Sequence, residues 1–395
     1  MSATLAPALR PNASTDSDHS RRALLMLWLG IGCFLLATAV GLGWDKRWHT
    51  THVFNSFYSA PHLFIYTMLA LTVLAVAGIA LSPRTREEFG GAVLVRLPGL
   101  GWLVPGALAL CGAGLGVVML AGVFDDIWHS NFGLDETAWS LPHAMLGTGF
   151  QLTFIGLLAC RLALGERRPV SGLGWGFLGT LLLMFSVERL TGPLSQASPD
   201  IVRGIAAFPV LAIQPPFQHT MRIYQDWNLN RTNWLFVPAA ALATGMALSI
   251  VLGFARRAWV VLLAAGVVFL LAIPEALGVA RYFGMQHDPR NWLPVPVLPA
   301  AVGFVIARKL GAGERASWLI GGAVFGIFTL AWTPQLVLVP TAAVLMLVGA
   351  GLGRRAWAVV QRPSGRSILV LTLLFGLGLP AATGVVDLYL RLHTP

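Results

Sequence analysis

Charge is scarce in this sequence. Asp, Glu, Lys and Arg make up 11% of its 395 residues, against about a quarter in a soluble globular chain, so water is not its main solvent. Acidic residues are the scarcer sign, 17 against 27 Lys and Arg. Cysteine is nearly absent: Cys33, Cys111 and Cys160 all lie in apolar runs without CxxC spacing, which argues against a disulfide framework or a thiolate metal centre. No Walker loop, GxSxG elbow or HExxH helix occurs, so nucleotide-driven and hydrolase chemistries lack their usual motifs. The formal charge of +10 does not indicate nucleic acid. The arginines stand at the ends of apolar runs and not in a patch interleaved with aromatics, and a charge arranged in that way reports topology.

Long apolar runs are abundant instead: 56% of the residues are hydrophobic and mean hydropathy is +0.71. The expectation is an all-α protein, a polytopic transmembrane helical bundle of about ten to eleven spans in one membrane body. The first run, 23–43, resembles a signal-peptide core but is too long and lacks a convincing cleavage site, so it reads as a retained span. Further spans are expected at 61–82, 102–124, 142–162, 173–191, 233–254, 258–279, 292–307, 317–334, 335–352 and 367–387. Residues 1–22, rich in Ser, Ala, Pro and Asp, read as a disordered cytoplasmic tail. Residues 23–170 read as duplicated metal-binding helical hairpins, and 171–395 as a second transmembrane half. Arginines cluster at Arg21/Arg22, Arg84/Arg86, Arg161/Arg167/Arg168, Arg256/Arg257, Arg308/Lys309/Arg315 and Arg354/Arg355, after alternate spans. The positive-inside rule then puts the N-terminus in the cytoplasm and the stretches 44–60, 125–141, 192–232 and 280–291 on the outer face, in a bacterial inner membrane.

His49, His52, His62, His129, His143, His219 and His287 fall in or beside those outward stretches, and His19 and His393 lie in the terminal tails. Six residues form an internal repeat. Asp45 and His49, followed by Ser59-Ala60-Pro61-His62, recur as Asp125 and His129, followed by Ser140-Leu141-Pro142-His143. The Asp-to-His spacing of four sets carboxylate and imidazole on one face of a helix end. Pro61 and Pro142 suit the first turn of the returning helix, so His62 and His143 face back across the loop as third ligands. One carboxylate with two neutral imidazoles suits copper, with zinc or iron as other possibilities, and three ligands leave a coordination position open. Trp48 and Trp128 serve as interface anchors. A bland reading stands beside this: a His near a membrane boundary is commonly a hydrogen-bonding residue, but chance does not repeat Asp, His and Pro-His at matched spacing. Glu188 and Glu275 hold comparable positions in the second half without accompanying histidines, and read as local ion pairs with Arg189 and Arg281. His219 and His287 have no repeated partner.

The pattern Asp-x3-His-x12-His of Asp45, His49 and His62 resembles the intramembrane copper site of the C subunit of particulate methane and ammonia monooxygenases. Asp125, His129 and His143 resemble that subunit's adjacent copper site, with Asp125 where the family has Asn. The likeness covers roughly residues 23 to 162. It implies copper near a site of O2-dependent hydroxylation of a small apolar substrate, within an assembly containing other membrane subunits, or a homo-oligomer. Three alternatives remain open: a metal- or proton-coupled transporter, a structural or assembly protein whose Asp/His clusters tie hairpins together, and a haem protein with His62 and His143 as axial ligands.

Overall fold

The computed structural model describes residues 16–51, 57–89, 94–96, 101–132, 140–164, 170–183, 233–282, 287, 294–331, 334–381 and 384–385. Each stretch expected to span the membrane contains a helix where it is described. Among the described residues six helices are long and apolar enough to cross a bilayer: Asp18–Asp45, Ala60–Leu81, Gly106–Trp128, Leu141–Ala163, Val237–Ala255 and Leu338–Gln361. The protein is an integral membrane protein of the all-α class.

Helix α1 (Asp16–Leu35) runs through a π-helical segment (Leu36–Gly41) into α2 (Leu42–Thr51). The expected disordered tail is therefore too long as drawn: residues 16–22 already belong to α1. Asp18 near its start suits the positive end of the helix dipole. Helix α3 (Ala60–Leu81) packs back along α1, and a short α4 (Pro83–Glu87) follows. Next comes an antiparallel ribbon of β1 (Leu94–Arg96) and β2 (Leu103–Pro105), paired Leu94 to Pro105 and Arg96 to Leu103. The run expected to begin a span at 102 is thus strand at its start. Gly101, at φ +68°, gives the left-handed turn that only glycine adopts freely, and the helix starts after Pro105. Helix α5 (Gly106–Phe132) and α6 (Leu141–Ala163) form the second hairpin.

The α5/α6 crossing is the tightest of the first half. A Cβ on Gly114 would collide with the backbone of Thr153, and one on Gly156 with the backbone of Cys111. Two spans can approach this closely only where side chains are missing, as is usual inside membranes. Phe34 of α1 seals the junction, edge-on to Phe150 at 5.9 Å and stacked on Phe154 at 6.4 Å.

The second half comprises α7 (Gly172–Leu183), α8 (Asn233–Ala255), α9 (Ala258–Tyr282), α10 (Val297–Lys309), α11 (Glu314–Thr329) and α12 (Leu338–Gln361). Three of its expected spans are short helices as described, α7 with 12 residues, α10 with 13 and α11 with 16. Helices α8 and α12 meet through Gly245, Gly349 and Gly353, where a Cβ would strike backbone carbonyls of the facing helix. The chain then returns: α13 (Gly365–Leu371) and a second π-helical segment (Thr372–Gly378) lie on α5 and α6. The returning segment thus covers a flank of the second hairpin, while α1 contacts that hairpin through α6.

Candidate functional site

The repeated sequence makes a repeated structure. Ser59 and Ser140 stand just before α3 and α6 with nearly equal backbone angles, φ −60° and ψ 152° against φ −55° and ψ 151°. Each serine's carbonyl accepts the first helical hydrogen bond at 2.9 Å, from Leu63 N–H and from Ala144 N–H. Pro61 and Pro142 occupy the first turn, where their missing N–H costs nothing. His62 and His143 follow directly and face back toward the preceding helix.

The preceding helices bring the carboxylates. Asp45 and His49 share α2, and Asp125 and His129 share α5, each pair four residues apart on continuous helix. The Asp45 Oδ1 lies 3.1 Å from His62 Nε2, with side chains 14% and 9% exposed. In the second copy Asp125 Oδ1 lies 3.8 Å from His143 Nδ1, with side chains 11% and 29% exposed. His143 Nδ1 is also 3.1 Å from Ser140 Oγ, a contact that turns the ring so that Nδ1 and not Nε2 faces the carboxylate. The structure therefore joins Asp45 with His62 and Asp125 with His143. The side chains of His49 and His129 lie outside the described residues, and among the described residues no group of three ligands gathers.

The π-helical segment explains how Asp45 reaches α3. Its wider turn changes the phase of the residues after it by about 100° relative to an unbroken helix. Thr38 supports the distortion by donating its Oγ1–H to the Phe34 carbonyl at 2.9 Å. Gly41 ends the segment against α3, where a Cβ would lie 2.5 Å from Ile65 Cγ1. Such bulges recur at functional sites.

Around the pairs the surroundings are aromatic. Tyr66, one turn along α3 from His62, has its ring centre 5.8 Å from the imidazole and 5.0 Å from Phe57. Its hydroxyl is near enough to Asp125, Asp45 and Asp126 to feel their charge. The indole nitrogens of Trp48 and Trp128 are buried in corresponding places. Tyr66 was not among the residues expected from the sequence. Its signal was the spacing of four from His62, but the second copy has Gly147 at that position, so the repeat did not point to it.

Other candidates do not join this cluster as described. Glu188 and His219 lie outside the described residues. Glu275 is on α9 with its side chain outside them, and His287 lies in an exposed turn.

A carboxylate buried beside hydrocarbon is very costly as an isolated charge, and a proton, an imidazolium or a metal ion can neutralise it. Two donors each about 2.1 Å from one ion lie about 3.0 to 3.4 Å apart. The Asp45–His62 separation of 3.1 Å falls inside that window, and the Asp125–His143 separation of 3.8 Å is a few tenths of an ångström beyond it. The first separation is that of a shared ion or of a direct ion pair, and the second is wider than either a shared ion or a hydrogen bond requires. No protein-family model, curated protein or solved structure matches the chain. Its class is set by fold and site: an α-helical integral membrane protein with a duplicated Asp–His arrangement at the ends of two hairpins.

Proposed function

We propose that this protein binds metal ions, with copper as the preferred metal, at its two hairpin ends. The first site would take Asp45, His49 and His62 as ligands, and the second Asp125, His129 and His143. The single observation that carries this reading is the duplication of structure: two hairpins with equal caps, each holding a carboxylate against the histidine that follows Pro.

Copper held by these residues with a position open would supply O2-dependent oxidation of a small apolar substrate. The chain's own contribution is positional. Pro61 and Pro142 fix the entry of His62 and His143, the π-helical segment directs Asp45, Ser140 orients the His143 ring, and Tyr66, Phe57 and the buried tryptophans limit water. The likeness to the C subunit of particulate methane and ammonia monooxygenases supports this reading and suggests partner subunits or a homo-oligomer in the bilayer. The arginine pattern supports a bacterial inner membrane with the N-terminus cytoplasmic and the metal sites outward.

Metal analysis of the purified protein tests the proposal. One copper per hairpin should be retained, with imidazole nitrogen couplings in the Cu(II) spin-resonance spectrum, and His62→Ala with His143→Ala should remove both. Equal metal content in wild type and double variant would defeat it. A second reading rests on the Asp45–His62 contact, since 3.1 Å is also the distance of a direct ion pair that ties α2 to α3. That reading is selected if metal-free protein is as stable as the metal-loaded form.

A further inference from the structure

We propose that the bilayer-facing side of α12 carries a binding site for an acidic glycerophospholipid, its phosphate at Arg354 and Arg355 and an acyl chain along Val348 and Leu352. This inference is independent of the metal reading.

A groove of about 500 Å³ is lined by Val348, Gly351, Leu352, Arg354, Arg355 and Ala358. Positions 348, 351, 352 and 355 follow the spacing of one helical face. Helix α12 is long and apolar enough to cross a membrane, yet only 28% of its apolar stretch is buried inside the protein. Val348 is 46% exposed and Leu352 42%. Gly351 opens the floor between them, since a Cβ there would meet nothing within 4 Å. The groove is therefore apolar along its length and cationic at one end.

That end is built as well as charged. Arg354 Nη1 donates to Glu314 Oε1 at 2.6 Å, and Trp318 Nε1 donates to the same oxygen at 3.3 Å. The network fixes the Arg354 guanidinium beside the groove and engages Glu314, the one carboxylate among the described residues of α10, α11 and α12. Arg355, Arg308, Lys309 and Arg315 are all exposed at this end of α10, α11 and α12, and among the described residues Arg355 has no ion pair. Five cations thus stand against Glu314.

This combination selects the occupant. A zwitterionic lipid brings no net charge to the cations, and a free phosphate ion gains nothing from the apolar floor. A second copy of this face would bring the same cations to meet their own kind. An anionic lipid satisfies both ends at once, its phosphate on the arginines and its chain against Val348 and Leu352.

The test uses the full chain in phosphatidylcholine bilayers with and without phosphatidylglycerol, with retained lipid read by native mass spectrometry. Wild type should hold phosphatidylglycerol over phosphatidylcholine by roughly tenfold. Arg355→Gln should lose that preference, and so should Val348→Trp, which fills the groove without altering charge. Leu352→Trp serves the same purpose if Val348→Trp does not fold. Arg315→Gln, in the same basic cluster but outside the groove, should keep the preference. Two results overturn the site in favour of a diffuse field: retention by both tryptophan variants, or equal loss in Arg315→Gln. A wild-type dimer that Val348→Trp converts to monomer overturns it in favour of a second copy of the chain.

Discussion

Asp45 and Asp125 are expensive residues to place, each a carboxylate nine-tenths or nearly so out of contact with solvent. Removing a partner from such a pair leaves the charge buried alone, which costs about 3 to 5 kcal/mol. His62→Ala is therefore expected to lower stability by about that amount, while Asp45→Asn combined with His62→Ala recovers most of it, as measured by thermal unfolding in detergent. His143→Ala should cost about 1 kcal/mol or less, because His143 is 29% exposed and 3.8 Å from Asp125, so water can take its place. Equal losses at the two histidines would contradict the asymmetry of the pairs. The pairs themselves were legible in the sequence because they occur twice and because proline announces the helix start. The asymmetry was not legible: it depends on which ring nitrogen Ser140 engages, and both copies have serine at that position.

Among the elements, the π-helical segment Leu36–Gly41 has the largest consequence per residue. Deleting one residue from it should restore a regular helix and turn Asp45 by about 100° away from His62. The deletion variant should still insert in the membrane but lose the stabilising Asp45–His62 contact, read as the same thermal shift that His62→Ala gives. A variant as stable as wild type would show that the segment does not set this phase. At the α5/α6 crossing, Gly156→Leu should destabilise by about 1 to 3 kcal/mol through overpacking against Cys111. Gly147→Ala on the same helix α6 faces open space and should gain about 0.5 to 1 kcal/mol from the better helix former. If thermal unfolding ranks the two variants the other way, the crossing has been misplaced. Hydropathy told where these helices lie, since a run of apolar residues is enough for that. It could not tell a π-turn from an α-turn, which is decided by Thr38 and by the contact of Gly41 with Ile65 on another helix.

On the scale of the whole molecule, the apolar runs located the helices, because the hydrocarbon thickness fixes span length. Helix α2 nonetheless continues to Thr51, α5 to Phe132 and α12 to Gln361, well past the expected ends at 43, 124 and 352. The failures lie at boundaries. The first helix begins at Asp16 inside the expected tail, and residues 103–105 form strand where a span was expected to start. Both are polar-side decisions, made by a helix dipole and by a glycine turn, to which an apolar window is blind. Helices α10 and α11 pack together, with Trp318 stacked on Phe304 at 4.0 Å. Topology can be checked directly, since Cys33, Cys111 and Cys160 are buried and should not react with an impermeant thiol reagent. Tyr58 is 73% exposed and Leu310 81%. In right-side-out vesicles Tyr58→Cys should label at once, whereas Leu310→Cys should label only after permeabilisation. Labelling of both from one side would overturn the alternation inferred from the arginines.

The return of the last described span has a consequence for biosynthesis. Its π-turn residue Gly376 fits against Val117 of α5 and Leu152 of α6, so a hairpin made early waits for a clasp made more than two hundred residues later. Until the ribosome has released that clasp, the flank of the second Asp–His hairpin stays open to lipid and to assembly factors, and a nascent chain halted before residue 365 would be an unfinished vessel.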